Sequence, residues 1–217
     1  MTVPTQKGYG PILAERRIGV LISGRGSNLQ SIIDAIACGR LAATIAVVVS
    51  SRADAAGLQR ARDAGIEALC LSPRDYPDRE AYDRAIAEAL QTRRVSLVCL
   101  AGFMRLVGPP LLEAFSHRIL NIHPSLLPAF PGLEAQRQAL DYGVQVTGAT
   151  VHLVTAQLDG GPIVLQAAVP VSPRDTVETL SARVLVEEHR LYPEAIRIVL
   201  EGLWSIEGRR LVRAIPS

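Results

Sequence analysis

The feature that most constrains the fold is a series of short apolar runs, rich in β-branched residues, in the first half of the chain. These runs span residues 17–23, 44–50, 66–71 and 95–100, with helix-like segments between them at 28–38, 53–64 and 78–93. The last run, VSLVCL, is apolar on both faces, as expected for a strand that is covered on both sides. This alternation predicts an α/β domain with a parallel sheet between two layers of helices.

The second half of the chain has a different pattern. An apolar run at 118–122 is followed by a proline-rich loop and a short helical segment near 133–142. Two further strands are predicted at 146–153 and 162–169, joined by a turn, and a long charged helix at 176–200. We therefore predict a doubly wound, mostly parallel α/β sheet with helices on both faces and a mixed or antiparallel C-terminal extension.

Length, charge and cysteine content narrow the classes of protein. The 217 residues suffice for one domain with a sizeable core, and we predict a single domain at 16–217 after a flexible extension at 1–15. A formal net charge of +2 gives no indication of nucleic-acid or membrane binding. The three cysteines have neither a disulfide nor a zinc spacing, which fits a reduced cytosol. These features predict a cytoplasmic protein without a bound metal.

The strongest candidate for chemistry is the stretch LNIHPSLLP at residues 120–128. Asn121 and His123 are two residues apart at the end of a predicted strand, so their side chains project to the same side. At the carboxyl edge of an α/β sheet, Asn121 could hold a developing oxyanion and His123 could transfer a proton. From this stretch alone, a turn-capping asparagine and a half-buried, hydrogen-bonded histidine are the slightly favoured interpretation.

The loop SGRGSN, residues 23–28, lies directly between the first predicted strand and its helix. The backbone of Gly26, Ser27 and Asn28 can approach an anion there, and the helix N-terminus favours negative charge. Leu29 takes the place of the third glycine of G-x-G-x-x-G, which disfavours a nicotinamide reductase, and no lysine follows as in a Walker loop. A phosphomonoester is favoured about two to one over a plain turn with Ser27 as N-cap.

Two further loops are ambiguous when each is taken alone. For AGFMRLV at 101–107, packing of the apolar side chains beneath the loop is favoured, and the alternative is a flat heteroaromatic ligand with Arg105 at its polar edges. For LDGGP at 158–162, a hairpin turn is favoured. In the alternative, Asp159 points at His123, favours its protonated form and orders a water for proton transfer.

Taken together, these loops resemble the phosphoribosylglycinamide formyltransferases, the folate-dependent glycinamide ribonucleotide transformylases of purine synthesis. The resemblance runs from about residue 17 to 200 through GRGSNLQSIIDA, AGFMRLVGP, LNIHPSLLPAFPG, GATVHLV, LDGGPIVLQ and EEHRLYP, in the family's order. The N-x-H-P-S-L-L-P core and the D-G-G turn are shared by a wider formyltransferase superfamily. The G-S-N-L loop is more specific to the ribonucleotide enzyme, and the combined match outweighs the alternatives given for each loop alone.

The resemblance implies an activity and a set of site residues. The implied reaction moves the formyl group of 10-formyltetrahydrofolate to the amine of 5′-phosphoribosylglycinamide, with no metal and no covalent enzyme intermediate. The implied catalytic residues are Asn121, His123 and Asp159. Gly26, Ser27 and Asn28 are implied to bind the phosphate, and Glu188 the ribose. The implied folate contacts are Arg79, Met104, Arg105, Leu106, Val107 and Asn121. The implied partners are these small molecules, with the chain acting as a monomer or a homodimer.

One position departs from the family pattern. After F-P-G-L, many relatives carry a histidine where this chain has Glu134. That segment resembles a mobile loop beside the substrate, so the departure puts the closure of the loop and its pH response in doubt.

Three alternative functions are weighed against this interpretation. Methionyl-tRNA formyltransferase needs a C-terminal RNA-binding domain, and formyltetrahydrofolate deformylase usually carries an N-terminal regulatory domain. We expect neither, because 217 residues without a basic tail leave no room for a second domain. A non-catalytic sensor of phosphosugars or nucleotides would bind ligand without turnover, and the complete set of Asn121, His123 and Asp159 argues against it.

Overall fold

The structure is a computed structural model that describes residues 16–213. Its first half alternates strands and helices as predicted. Its elements are β1 (Arg17–Ile22), α1 (Ser27–Ala37), β2 (Thr44–Ser50), α2 (Ala56–Asp63), β3 (Ala68–Cys70), α3 (Arg79–Thr92) and β4 (Leu97–Leu100). A single 3₁₀ turn, Pro73–Asp75, lies between β3 and α3. The predicted extension at 1–15 lies outside the described residues, and the division at residue 16 stays a prediction.

The second half contains three helices and five strands within the described residues. These are α4 (Pro109–Ala114), β5 (Ile119–His123), α5 (Ala135–Tyr142), β6 (Val146–Leu153), β7 (Ile163–Pro170), α6 (Val177–Glu201), β8 (Trp204–Glu207) and β9 (Arg210–Arg213). β6 has the predicted bounds, and β7 and α6 are each shifted by one residue from theirs. The sequence did not predict α4 or the hairpin of β8 and β9.

The strands of residues 16–213 join one sheet in the order β3-β2-β1-β4-β5-β6-β7-β9-β8. The strands from β3 to β5 are parallel neighbours, whereas β5, β6 and β7 are antiparallel. β9 pairs in parallel with β7 and in an antiparallel sense with β8. The predicted mostly parallel sheet with a mixed C-terminal extension is confirmed.

Apolar side chains cover both faces of the sheet. One cluster packs α1, α2 and α6 against it and includes the buried side chains of Leu29, Leu58 and Tyr192. The second cluster packs α3 and α4 on the sheet through Ile86 and Phe115. All four residues of β4 are buried, which explains why its sequence is a continuous apolar run.

The strand order creates a crevice beside β1. The chain leaves β1 toward β2 and β3 and then returns on the other side of β1 as β4. The loops that follow β1 and β4 therefore start next to each other at the carboxyl edge of the sheet. Open α/β sheets bind their ligands at such a switch point, so the fold places the two loops, residues 23–26 and 101–108, where a ligand is expected.

Candidate active site

The loop after β1 ends at Gly26, the N-cap of α1, with a φ of +72° that favours glycine. α2 holds this loop, because the Gly57 N–H donates to the Gly24 carbonyl at 3.1 Å and Arg60 Nε to the Arg25 carbonyl at 3.0 Å. A Cβ at Gly26 would lie 2.6 Å from the Cα of Gly57. The first turn of α1 has neither a side-chain cap nor an acidic residue, so its N–H groups are available to an anion.

The plain-turn alternative for this loop gave Ser27 as the N-cap, and that part of it is wrong. The N-cap is Gly26, and Ser27 is the first residue of the helix. A residue in the left-handed conformation turns the chain sharply into α1, which a β-region serine cap would not do. The phosphate interpretation for Gly26, Ser27 and Asn28 is compatible with this geometry and stays a prediction.

Asn28 and Glu188 are brought together although 160 residues separate them in the chain. Asn28 Nδ2 donates to Glu188 Oε2 at 2.6 Å, and the two residues are 8% and 7% exposed. Burial raises the pKa of Glu188, although the hydrogen bond from Asn28 and the charge of Arg25 oppose the shift. Asn28 Oδ1 is buried without a hydrogen-bond partner among residues 16–213. Two acceptor groups, the Glu188 carboxylate and Asn28 Oδ1, therefore meet beside the loop after β1, where a pair of ligand hydroxyls could donate to them.

Ser23 ties the loops of the crevice together, and sequence reasoning did not select it. Its N–H donates to the Gly102 carbonyl at 3.0 Å, and its Oγ accepts from the Met104 N–H at 2.9 Å. The same Oγ lies 2.7 Å from the Oγ of Ser51, which follows β2. A serine at the carboxyl end of two adjacent apolar strands is the signal that could have indicated this junction.

A cavity of about 590 Å³ lies beside the loop after β4. Its lining includes four of the predicted folate contacts: Arg79, Met104, Arg105 and Leu106. Met104 and Leu106 are 66% and 58% exposed, so the favoured interpretation of apolar packing beneath the loop is wrong for both. Val107 does pack there, half-buried against the core of α3 and α4, and it is not part of the cavity lining.

Asn121 and His123 lie on β5, the last parallel strand before the sheet turns antiparallel. In the register of β5 and β6, Asn121 is opposite His152 and His123 is opposite Thr150. Asn121 Nδ2 lies 3.2 Å from His152 Nε2. The antiparallel pairing thus adds a second imidazole to the carboxamide and imidazole that the sequence predicts.

The carboxylate of Asp159 lies between two histidines. Its Oδ2 is 3.5 Å from His123 Nδ1, its Oδ1 is 3.6 Å from His152 Nε2, and the Gly132 N–H donates to Oδ2 at 2.8 Å. Burial acts to raise the pKa of Asp159, but the nearby His152 ring, the hydrogen bond from the Gly132 N–H and the electrostatic effect of His123 outweigh burial and hold the pKa below its usual value. The turn between β6 and β7 therefore presents a charged carboxylate to His123.

The two ring nitrogens of His123 have different surroundings. Nε2 lies 2.9 Å from the backbone carbonyl of Phe130, which can only accept a hydrogen bond, so Nε2 is the donor. Nδ1 faces Asp159 at 3.5 Å, longer than the roughly 2.7–2.9 Å of a charge-assisted hydrogen bond. The Phe130 contact fixes the ring and leaves Nδ1 facing the Asp159 carboxylate.

The proline-rich loop that supplies the Phe130 carbonyl is anchored to β6 and β7. Thr150 Oγ1 donates to the Ser125 carbonyl at 2.7 Å, and Gln166 Nε2 donates to the Leu127 carbonyl at 2.9 Å. Phe130 itself has a φ of +55°, which is strained for a bulky residue and is typical of backbone near functional sites. The orientation of His123 thus depends on a backbone segment that side chains of β6 and β7 hold in place.

Glu134 occupies the position at which the sequence departs from the family. It is the N-cap of α5, in a left-handed conformation with a φ of +54°. Its side chain is 72% exposed and forms an ion pair with Arg137, with Nε and Oε2 3.6 Å apart. The effect of Glu134 on loop closure stays a prediction.

His152 is a second site residue, after Ser23, that sequence reasoning missed. It is 2% exposed and joins Asn121 to Asp159, and its Nδ1 lies 3.0 Å from the carbonyl of Leu153. It belongs to the GATVHLV segment, which supported the resemblance without being given a role. Pairing β6 against β5 in register is the step that could have found it.

No group of three or more His, Cys, Asp or Glu side chains between residues 16 and 213 could hold a metal ion. No helix in the same span is both long enough and apolar enough to cross a membrane.

The described residues match a known family. The sequence model of the family described as formyl transferase matches residues 16–196. The phosphoribosylglycinamide formyltransferase of Escherichia coli (strain K12) is 47% identical over 192 residues, which cover 88% of this chain and 88% of that protein. The crystal structure of glycinamide ribonucleotide transformylase 1 from Symbiobacterium toebii has a TM-score of 0.91 and 62% identity, covering 94% of this chain and 95% of that chain.

Some relatives are much longer than this chain. The trifunctional purine biosynthetic protein adenosine-3 of Drosophila pseudoobscura pseudoobscura is 47% identical over 189 residues, which cover 86% of this chain but 14% of that protein. The chain therefore spans one part of such a protein and nearly all of the bacterial one. With a family model over most of its length and relatives of similar size, the chain belongs to the formyl transferase family, among its phosphoribosylglycinamide formyltransferases.

Proposed function

We propose that the chain transfers the formyl group of 10-formyltetrahydrofolate to the amine of 5′-phosphoribosylglycinamide, a step of purine biosynthesis. The observation that carries the proposal is the carboxylate of Asp159 between His123 and His152, next to Asn121. The similarity to the Escherichia coli and Symbiobacterium toebii proteins supports the same reaction. A cytoplasmic location and a monomer or homodimer stay predictions of the sequence.

The acceptor substrate is proposed to bind along the loop after β1, residues 23–26. Its phosphate would meet the free backbone N–H groups at the start of α1, at Gly26, Ser27 and Asn28, where the helix dipole favours an anion. Its ribose hydroxyls would donate to Glu188 and to the unpartnered Oδ1 of Asn28. Burial of both acceptors makes a ligand without these hydroxyls costly to bind.

The formyl donor is proposed to bind in the cavity beside the loop after β4. Met104 and Leu106 offer exposed apolar surface to a flat pterin ring, and Met adapts well to aromatic faces. The guanidinium groups of Arg79 and Arg105 line the same cavity and would pair with the carboxylates of the glutamate tail. The cavity size is in the range of small-molecule sites, about 300–1,000 Å³.

The proposed reaction needs an oxyanion stabiliser and a route for one proton. The glycinamide amine attacks the formyl carbon, a C–N bond forms, and the carbonyl oxygen becomes an oxyanion that Asn121 and protonated His123 stabilise. Collapse of the tetrahedral intermediate breaks the bond to N10 of the folate. The proton that the amine loses reaches N10 through His123 Nδ1 or a water held by Asp159.

His152 is proposed to hold the side chains of Asn121 and Asp159 in position. Its Nε2 lies within 3.6 Å of Asp159 Oδ1 and within 3.2 Å of Asn121 Nδ2. Because it contacts the oxyanion group and the carboxylate, it fixes their distance from His123. We assign it the role of a positioning residue.

The test is a formyl-transfer assay with the purified chain, phosphoribosylglycinamide and 10-formyl-5,8-dideazafolate, followed by absorbance as the deformylated folate forms. His123→Ala is measured beside it, with Asp141→Asn, an exposed carboxylate on α5, as a control. We expect turnover that requires the ribonucleotide and is lost only in the His123 variant. Deformylation without the ribonucleotide would indicate a hydrolase, and binding of both ligands without turnover would indicate a sensor.

A further inference from the structure

Asp83 is a buried carboxylate that the proposed site does not use. It lies on α3, is 1% exposed, and its Oδ2 accepts a hydrogen bond from the Gly108 N–H at 2.7 Å. The same oxygen is 4.0 Å from Arg79 Nε. A buried carboxylate is costly unless its partners compensate for lost hydration, so a structural reason for keeping one at this position is expected.

Gly108 shows how closely these groups meet. A Cβ at this position would overlap Asp83 Oδ2 and lie 3.4 Å from Arg79 Nε. The φ of Gly108 is −99°, an ordinary value for any residue, so it is the contact that leaves no room for a side chain. The end of the loop after β4, the start of α3 and the Arg79 guanidinium therefore converge on one carboxylate oxygen.

The position of this junction bears on the donor cavity. Arg79 lines the cavity, and so do Met104 and Leu106 of the loop that ends at Gly108. The side chain of Arg79 is 53% exposed and would lose rotamer freedom on binding a carboxylate. The 4.0 Å contact between Arg79 Nε and Asp83 Oδ2 restricts the guanidinium, so part of the ordering cost would be met before the ligand arrives.

We propose that Asp83 is a positioning residue for the formyl donor: it holds Arg79 and the end of the 104–108 loop in the arrangement that receives the carboxylate tail of the folate. The inference rests on the proposed function and adds a residue that does not touch either substrate. Asp83 acts through Arg79 and Gly108.

Asp83→Asn is the first test, because it keeps the shape and an acceptor for Gly108 but removes the charge that faces Arg79. We expect the KM for 10-formyl-5,8-dideazafolate to rise about two- to tenfold, because the Arg79 side chain is no longer ordered before binding. The kcat and the KM for the ribonucleotide should be unchanged. Gly108→Ala disrupts the same junction from the loop side and should give the same pattern. Glu80→Gln, an exposed α3 residue paired with Arg84, is the matched control and should change nothing.

Two comparisons separate positioning from a general loss of stability. In an Arg79→Ala background, Asp83→Asn should add less than about a twofold further rise in KM, because Asn keeps the acceptor for the Gly108 N–H and the other partner, Arg79, is gone. A donor that lacks the glutamate tail, 10-formyl-5,8-dideazapteroate, should have the same KM with the wild-type chain and with Asp83→Asn. A fall in kcat, or an equal rise in the KM of both donors and the ribonucleotide, would overturn the inference.

The outcome can be read independently of the proposed function. If the wild-type chain showed no formyl transfer, the proposed function would fail, and calorimetric titration of 10-formyl-5,8-dideazafolate would still compare the donor affinity of the wild-type and variant chains. Weaker donor binding by Asp83→Asn and Gly108→Ala, with melting temperatures near that of the wild type, would support the positioning role. Unchanged donor affinity in both variants would refute it.

Discussion

Replacing Asp159 by Asn tests the central contact of the site, since the variant keeps the shape and removes the charge. At the 3.5 Å between His123 Nδ1 and Asp159 Oδ2, two unit charges interact by about 5 kcal/mol at an effective dielectric constant of about 20. This value is an upper limit and corresponds to between three and four factors of ten in rate, at about 1.4 kcal/mol each. General acid–base groups contribute about 10²–10⁴-fold, so we expect kcat to fall within that range.

The assay is the steady-state formyl transfer described above, with single-turnover measurements to isolate the chemical step. The Kd of the ribonucleotide should stay within about threefold of the wild-type value, because the proposed phosphate and ribose contacts lie at the start of α1 and at Glu188, away from Asp159. Asp141→Asn controls for the loss of a surface carboxylate. A variant that kept more than about a third of the wild-type kcat between about pH 6 and pH 9 would refute the reasoning.

Three further substitutions test other parts of the site. His152→Ala removes the contacts to Asn121 and Asp159, so kcat should fall about 10–100-fold in the same assay with the ribonucleotide Kd unchanged. Glu188 has a raised pKa in the folded chain, so its stabilising contribution is complete below its unfolded pKa of about 4.3 and is lost as the pH rises through the folded value. Glu188→Gln should therefore raise Tm at pH 7 by about 2–4 °C in calorimetry, a gain of about 1 kcal/mol that disappears below about pH 4, while the KM for the ribonucleotide rises about tenfold. Gly26→Ala introduces a Cβ at a φ of +72° and against Gly57, so thermal melting should show a loss of about 1–3 kcal/mol, and titration should show no saturable ribonucleotide binding.

The parallel half of the sheet could be predicted because its strands are buried on both faces and read as continuous apolar runs. The start of α3 was predicted within one residue, since Asp78 caps the helix by accepting from the Ala81 N–H. α4 was missed because six residues that begin with two prolines carry too little periodicity, and the helix depends on burial of Leu111. The C-terminal hairpin was missed because its strands have only four residues each, although Gly208 marks the turn between them.

The site could be predicted in part for a similar reason. The period of two along a strand places Asn121 and His123 together, and a glycine-rich turn before a helix indicates an anion site. The contacts of Asp159 with His123 and of Asp83 with Gly108 join residues that lie on different elements, so spacing along the chain does not determine them. His152 meets Asn121 only in one antiparallel register, and a slip of one residue would turn it to the other face.

The C-terminal hairpin, β8 and β9, contacts the turn that carries Asp159. An Nη group of Arg209, at the tip of the hairpin, donates to the Gly160 carbonyl at 2.9 Å, and β9 pairs with β7 through Arg210 and Ile163. This hairpin begins beyond residue 196, where the match to the family ends. A change in this hairpin would therefore reach the turn of Asp159 without altering any proposed substrate contact. In practice, an affinity tag or fusion partner belongs at the N-terminal end, since one joined after β9 would disturb the hairpin that contacts the turn of Asp159.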